Sequence, residues 1–580
     1  MIFGKNVNRY YFKYAHFFIL GIIALIFVDI YQLDIPEIIG QLIDGIKEKT
    51  ITEGLLMQYM KQLLVIVGIM FVGRFLWRVC IFGNGIRIEA DLREKMFAHS
   101  EKLSQSYYQE NKTGALMALY TNDLQTIRQS IASGTIMFID AALLGFLSFY
   151  KMWSIDKWLS IFASIPLLIL ALCGGIIGKF MRKKFEDRQK SYADLSDFTQ
   201  ENFSGMSVIK AFVKEGKELI AFSKINRDYL DKNISFVKAA ILLEVLIGGL
   251  ISLVIIVIIG YGGYLVFDGT LSIGKLTEYI AYFGTLTWPM MAIAQLINMQ
   301  SQAKASLKRI DAHLNHPIEI QDGKDILSHH DFRGQIQFNN LTFSYPKSEK
   351  PVLENISFTL KAGESLGIIG RTGSGKTTLV DLLLRIYNVP ENTILIDDID
   401  IMRLPLRLVR DQIAYVPQDN FLYSDSIRNN IDFAANTQDL SKITEAAVLA
   451  DVDKNIQEFS QGYDTILGER GVTISGGQKQ RVSIARALLK DAKILIMDDS
   501  VSAVDTKTEE QILLNLRKVR KNKTTILIAH RITTVQSMDK ILVLDEGRVE
   551  AFGTHQELLK SSPLYANMVR LQTLEDEVTA

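Results

Sequence analysis

The stretch Gly370-Arg371-Thr372-Gly373-Ser374-Gly375-Lys376-Thr377-Thr378 follows an apolar run at 365–369 and opens a helical pattern at 379–384. Glycine-x4-glycine-lysine-serine/threonine between a strand and a helix is the pattern of a phosphate cradle. Its glycines let the chain turn so that backbone N–H groups and the positive end of the following helix face an anion. Lys376 is placed to reach the outer phosphates of a nucleoside triphosphate, and the Thr377 hydroxyl offers an oxygen to Mg²⁺. The expected fold around this stretch is an α/β P-loop domain.

The rest of the chain is of a different kind. At 580 residues it exceeds what one core supports. Long apolar stretches crowd the first part, whereas charges are evenly scattered beyond about Ser328. Six stretches, 14–35, 55–82, 131–152, 158–180, 237–266 and 273–296, reach the roughly 20 residues that a membrane-spanning helix needs. The first is too long for a signal-peptide core and has no small-residue cleavage pattern after it, so it is expected to stay as an anchor.

Basic residues set the orientation. Lys5, Arg9 and Lys13 precede the first span. Arg87, Arg93, Lys95, Lys102, Lys112 and Arg128 lie between the second and third. Lys179, Arg182, Lys183, Lys184, Arg188 and Lys190 lie at or beyond the end of the fourth. These segments, and both termini, are expected on the cytoplasmic side of a cell membrane crossed six times. The connections 83–130 and 181–236 are too long to be plain loops, and their periodic patterns at 90–103, 185–203 and 219–229 predict helices running past the bilayer.

Sixty-four basic and sixty-four acidic residues give no net charge, so nothing supports a nucleic acid partner. Cys80 and Cys173 both fall in apolar stretches, which suits buried thiols rather than a disulfide or a metal site. Asp29, Arg74, Arg78, Asp140 and Glu244 are ionisable residues inside expected spans. Such groups pair, snorkel, or face a cavity. The resulting division is an all-α transmembrane domain at 1–320 with long cytoplasmic helical extensions, a linker at 321–333, and an α/β nucleotide-binding domain at 334–580.

Further motifs accompany the cradle. They are an alternating strand ending at Tyr345, Tyr415-Val-Pro-Gln418-Asp419, Ile474-Ser-Gly-Gly-Gln478, Ile494-Leu-Ile-Met-Asp498-Asp499, Ser502-Ala-Val-Asp505 and Ala529-His530-Arg531. Their order and spacing resemble the ATP-binding cassette ATPases. With the six spans, essentially the whole chain resembles a half-transporter of the ABC exporter superfamily. Segments 113–118 and 205–212 are similar to that family's two cytoplasmic coupling segments.

The resemblance implies roles. Tyr345 would stack on adenine, a π contact, while Gly370 to Thr378 hold the ATP phosphates. Thr377, Gln418 and Asp498 would hold Mg²⁺, a cation that takes oxygen ligands. Gln418 would sense the metal and the attacking water, and His530 the γ-phosphate. Ser475, Gly476, Gly477 and Gln478 would present a helix N-terminus to ATP held by a second cassette, and Asp505 would communicate across that dimer.

The sequence departs from the family at one place that bears on chemistry. Where the family carries a glutamate that activates water, this chain has Asp499. One methylene less draws the carboxylate back by roughly 1.5 Å, and a misplacement of about 1 Å can cost on the order of a hundredfold in rate. The signature is intact apart from Ile474 in place of the usual leucine. The combination resembles the degenerate-site subunit of a heterodimeric bacterial multidrug exporter, with a second half-transporter as partner. A slow homodimer, a lipid or lipopeptide flippase, and a non-exporting ATP-sensing subunit stay open as alternatives. For a hydrophobic or amphipathic substrate among membrane lipids, Asp140, Trp288 and Met290, with Phe138, Tyr282 and Phe283, are candidate cavity residues or else helix packing. Pro289 is a candidate hinge.

Overall fold

The structure is a computed structural model of the whole chain; it describes residues 4–323, 325–327, 331–468, 471 and 474–579, without the side chains at 5, 167–179, 294 and 575–579. Two compact units emerge, Met1–Phe97 with Leu116–Asn315, and Ala98–Ala115 with His316–Ala580.

The first unit is helical. Its long helices are α1 (Ala15–Lys47), α2 (Glu53–Ser100), α3 (Thr113–Ile155), α4 (Lys157–Ser204), α5 (Glu215–Phe267) and α6 (Ile273–Leu314). Among the described residues, α1, α2, α3, α5 and α6 are long and apolar enough to cross a membrane. The expected span 158–180 lies on α4, but the side chains at 167–179, Cys173 included, lie outside the described residues. Cys80 is a buried free thiol.

Each expected span is part of a longer helix. At 1.5 Å per residue, the 48 residues of α2 run about 70 Å, more than twice the roughly 30 Å of a bilayer's hydrocarbon. The predicted extensions at 185–203 and 219–229 are therefore continuations of α4 and α5, and that at 90–103 continues α2 as far as Ser100. Two π-turns interrupt α3, at Leu119–Asp123 and Asp140–Leu144.

Polar contacts fix how the helices meet. Asp44 on α1 accepts hydrogen bonds from Ser272 Oγ at 2.5 Å and Gly274 N at 2.6 Å. Gly274 permits this approach, since a Cβ there would stand 2.0 Å from the Gly40 carbonyl oxygen. On the extensions, Asp123 of α3 accepts from Ser306 Oγ at 2.7 Å and Arg309 Nε at 2.9 Å on α6. Burial pushes the Asp123 carboxyl up, but the hydrogen bonds from Arg309 and Ser306 outweigh it and hold the group below the usual carboxylate range.

The second unit holds two sheets. An antiparallel sheet runs β2-β1-β4-β5, with β1 Ile336–Phe343, β2 Leu353–Leu360, β4 Ile394–Ile396 and β5 Ile399–Asp400. A six-stranded sheet runs β10-β9-β3-β8-β7-β6, with β3 Ser365–Gly370, β6 Ile413–Val416, β7 Ile494–Asp498, β8 Thr524–Ile528, β9 Lys540–Asp545 and β10 Arg548–Gly553. All its pairings are parallel except β9 with β10. Strands β7 and β8 are buried along their full length, as interior strands of a parallel sheet covered on both faces should be. Segment 98–115 belongs to this unit: Glu110 pairs with Lys347 at 2.6 Å, and Ser104 Oγ donates to Glu319 at 2.6 Å.

A carboxylate held below its unfolded value of about 4 stabilises the fold above that pH, and the contribution fades as pH falls through the lower folded-state value. Asp123→Ala should therefore lower the thermal midpoint of the detergent-solubilised chain at pH 7, by the equivalent of about 1–3 kcal/mol, and the difference from wild type should shrink toward pH 3. An unaltered midpoint at pH 7 would show that this junction does not hold α3 to α6.

Candidate nucleotide site

Parallel strands deliver their carboxyl ends to one edge of a sheet, and ligands of such sheets bind there. Gly370 ends β3, Asp498 ends β7, Gln418 lies two residues past β6, and His530 two residues past β8. Residues far apart in sequence thus share one edge because the strands that carry them run the same way.

The cradle takes the expected form. Gly373 and Gly375 have φ of +82° and +96°, and helix α7 (Lys376–Leu383) starts directly after them. A Cβ on Gly370 would stand 2.1 Å from the Leu544 carbonyl oxygen, and one on Gly375 would stand 2.6 Å from Leu353 Cδ2. Space alone requires glycine at Gly370, whereas at Gly375 space and the positive φ both do. The Lys376 ammonium is folded over the turn, donating to the carbonyl oxygens of Gly370 and Arg371 at 2.9 Å each. Burial pulls its pKa down, opposed by Asp498 and Asp499.

Behind the turn lies a set of oxygens. Asp498 is 1% exposed. Burial pushes its carboxyl up, against a hydrogen bond with Thr377. Among the described residues its Oδ2 has no hydrogen-bond partner. A buried carboxylate oxygen left open beside a threonine hydroxyl fits a hard cation, so Thr377 and Asp498 have the chemistry to hold Mg²⁺. Asp381, one turn along α7, is pushed up to about 6 by burial and by Asp498.

Asp499 follows in a left-handed conformation, φ +45°. Its N–H donates to the Ile528 carbonyl oxygen at 3.0 Å, and its own carbonyl accepts from Gln480 Nε2 at 3.2 Å and Ser502 Oγ at 2.9 Å. Tyr345 lies just past β1. Its hydroxyl is 2.8 Å from Thr378 Oγ1, and its ring meets those of Phe343 and Tyr387 edge-on. Gln109, from segment 98–115, hydrogen-bonds Tyr387. Gln418 and His530 are exposed at the same edge.

The signature opens α8 (Gly476–Leu489). Ser475 caps it in a reciprocal box with Gln478: Ser475 N–H donates to Gln478 Oε1 at 3.0 Å, and Gln478 N–H to Ser475 Oγ at 3.3 Å. Ser475 and Gly476 are exposed, so this helix N-terminus faces outward from its own cassette. Asp505 caps α9 (Thr506–Val519) through Thr508 N–H at 3.0 Å, and that bond lowers its pKa.

Three participants were not singled out in the sequence. Gln480 is the polar residue on the buried face of α8, Tyr387 braces Tyr345, and Glu509 holds Arg531, beside His530, at 3.6 Å. Only Gln480 had a readable signal, as a polar side chain at the spacing of the helix's inward face.

In the helical unit the structure brings two of the cavity candidates together: Trp288 Nε1 donates to Asp140 Oδ2 at 2.8 Å. Met290 is half-buried two residues further along α6. Phe138 is exposed, whereas Tyr282 and Phe283 are buried in a helix core, with the Tyr282 hydroxyl donating to the Leu33 carbonyl oxygen at 3.1 Å. Those two brace α6 against its neighbours. Asp29 is also buried; Arg74 donates to Gln32 at 3.2 Å, Arg78 lies over the Trp77 ring, and Glu244 is exposed. Pro289 lies inside α6, which continues on both sides of it.

A P-loop sheet with a capped signature helix, following long apolar helices in one chain, defines a membrane-embedded ATPase. Residues 18–290 match the family described as ABC transporter transmembrane region, and residues 353–502 the family described as ABC transporter. The chain is 35% identical over 572 residues to the probable multidrug resistance ABC transporter ATP-binding/permease protein YheI of Bacillus subtilis, covering 98% of this chain and 97% of that one. It is 35% identical over 558 residues to the multidrug resistance-like ATP-binding protein MdlA of Escherichia coli, covering 96% and 94%. Against an ATP-dependent lipid A-core flippase of Syntrophus aciditrophicus, identity is 34% over 85% of this chain and 82% of the other. The solved structure of a bacterial Atm1-family ABC exporter with ATP bound superposes with a TM-score of 0.78 at 25% identity, over 96% and 98% of the two chains.

The chain belongs to the ABC transporter family. It is a multi-pass membrane protein of the exporter type, whose ATPase domain couples ATP hydrolysis to transport.

An Asp whose folded-state pKa is raised favours its protonated form, so the fold loses stability as pH climbs from the unfolded value toward the folded one. Asp498→Asn removes that buried charge. It should raise the thermal midpoint of the nucleotide-free chain at pH 7 by a few degrees, a shift worth about 1 kcal/mol, while abolishing Mg²⁺-dependent turnover. A lower midpoint would mean that the charge is compensated without metal.

Proposed function

We propose that this chain is one half of a heterodimeric exporter of amphipathic compounds, in which its own ATP site is slow and its signature completes a faster site on a second half-transporter. The observation that carries this reading is Asp499: an aspartate on a rigidly held left-handed turn stands where a longer carboxylate would reach further toward the attacking water. Its backbone is fixed by bonds on both sides, so the missing methylene is not recovered by a shift of the chain. The signature box is complete and outward-facing, which suits a helix N-terminus offered to another chain's polyphosphate.

The residues divide the work. Lys376 leaves the Gly370 and Arg371 carbonyls to meet the outer phosphates, and the turn's N–H groups hold the rest. Tyr345 stacks on adenine. Thr377, Asp498 and Gln418 supply oxygens to Mg²⁺, which when bound neutralises phosphate charge. Asp499 accepts a proton from water, and His530 contacts the γ-phosphate. Asp505, at the start of α9, lies where the second cassette would dock. The basic segments favour a cytoplasmic side for both termini and the cassette, with residues 1–320 as the transmembrane domain and 334–580 as the nucleotide-binding domain.

On the membrane side, Asp140 with its Trp288 hydrogen bond, together with Met290, gives a polar point among apolar helices. Multidrug names among the relatives favour amphipathic drugs. The likeness to a lipid A-core flippase keeps lipid translocation as the second reading. Stimulation of ATPase by lipids rather than by drugs separates them.

The purified chain should turn over ATP slowly. Asp499→Glu should raise its rate by roughly ten- to a hundredfold, and co-expression with a second half-transporter that carries the glutamate should do so as well. Fast turnover by the wild-type chain alone would make it a homodimeric pump. In the paired protein, Ser475→Ala should depress turnover, and Lys376→Ala should weaken nucleotide binding at the local site. Turnover unaffected by Ser475→Ala would refute the cross-chain assignment.

A further inference from the structure

Gln480 is 4% exposed and lies on the inward face of α8, four residues after Gly476. Its carboxamide spends both ends on the backbone of one short segment. Nε2 donates to the Asp499 carbonyl oxygen at 3.2 Å, and Oε1 accepts from Ala503 N–H at 3.0 Å. A few residues upstream, the helix touches the same segment again: a Cβ on Gly477 would stand 3.0 Å from the Ala503 carbonyl oxygen. The 499–503 backbone is thus tied to the helix that begins with the signature.

Asp499 gains most from this tie. Its left-handed conformation is unfavourable for a residue with a Cβ, by about 1–3 kcal/mol, and persists only when its surroundings over-determine it. Three bonds do so here: Asp499 N–H to the Ile528 carbonyl of β8, and Gln480 and Ser502 to the Asp499 carbonyl. Without the Gln480 bond, the peptide after Asp499 keeps one side-chain donor, and the direction of the carboxylate loosens. Ala503 N–H loses its acceptor at the same time, and the segment leading to Asp505 is freed.

We propose that Gln480 is a positioning residue for ATP hydrolysis: it holds the Asp499 peptide and the 502–505 segment to the signature helix, so that each movement of that helix re-aims the Asp499 carboxylate. One helix then serves two sites. Its N-terminus faces outward, and its buried face sets the carboxylate of its own cassette. The bonds lie within one chain, so the inference holds whether the chain pairs with itself or with a second half-transporter.

The test uses the full-length chain in lipid vesicles, in both the wild-type and the Asp499→Glu backgrounds so that a slow wild-type rate does not mask the effect. Gln480→Met keeps bulk and loses both bonds. Gln480→Glu keeps the acceptor for Ala503 N–H but loses the donor to Asp499. Both should lower kcat roughly ten- to a hundredfold with KM for ATP within about twofold, the pattern of a group acting on the reacting geometry rather than on binding. Hydrogen exchange at the Ala503 amide should quicken at least about tenfold in Gln480→Met, since opening of the bond governs exchange, and stay near wild type in Gln480→Glu. Combined with Ser502→Ala, Gln480→Met should depart from the product of the two single effects, because both side chains hold one carbonyl. Unchanged kcat in either variant, unchanged Ala503 exchange in Gln480→Met, or a fall in kcat matched by a rise in KM and a lower thermal midpoint would each overturn the proposal.

Discussion

The Asp498 carboxylate, buried at the tip of β7 with one oxygen unpartnered among the described residues, is the constraint around which the nucleotide-binding unit is organised. Burying an ionised group without compensation costs several kcal/mol, so the surroundings must supply hydrogen bonds, a counter-charge, or a ligand. Here they supply only part. Thr377 offers one hydrogen bond, and Lys376 contributes charge from a position in which its ammonium is engaged by loop carbonyls. The deficit is one that a metal–nucleotide complex would make good. The same parallel sheet that buries Asp498 aligns the ends of β3, β6 and β8, so the remaining contributors arrive at that edge without any further device.

In the helical unit the governing constraint is length. Helices of 42 to 53 residues exceed a bilayer's thickness, so apolar spans and charged extensions are parts of single rigid rods. A rod conveys a tilt at one end to the other without needing a chain of side-chain contacts. The junctions between rods are polar and lie where the apolar effect is weak: Asp123 with Ser306 and Arg309 on the extensions, and Asp44 with Ser272 and Gly274 at the opposite end. Within the apolar middle, Asp140 is held by an indole N–H, with no cation paired to it among the described residues.

Much of this was legible in sequence because it rests on local pattern. The cradle announces itself by glycines whose spacing only a tight turn before a helix requires, and β7 by the apolar run Ile494 to Met497 that ends at Asp498. The continuation of spans into extensions followed from helical periodicity at 185–203 and 219–229. Three-dimensional pairings were not legible. Nothing in the string joins Gln480 to Asp499 and Ala503, or Tyr345 to Thr378 and Tyr387, because those contacts depend on how separate elements close over one another. Tyr282 and Phe283 read equally well as cavity aromatics or as packing; only the neighbouring helices decide, and they bury both. The two π-turns of α3 were not read from the sequence either.

A transporter that alternates between states needs ATP to favour one state through contacts absent in the other, and a ligand shifts the balance only by its difference in affinity between them. That difference is largest while the nucleotide stays intact. On the proposed reading, a site with every binding group in place but its carboxylate one methylene short would keep ATP longer, and so would extend the lifetime of the state that ATP favours. Shortening the carboxylate would leave this contribution in place, because the cradle turn, Thr377 with Asp498, and Tyr345 lie on other segments than the turn at Asp499. On the proposed reading, loss of rate and retention of binding are therefore separable: the cradle and the buried end of β7 would set affinity, and Asp499, on the turn that follows, would set rate.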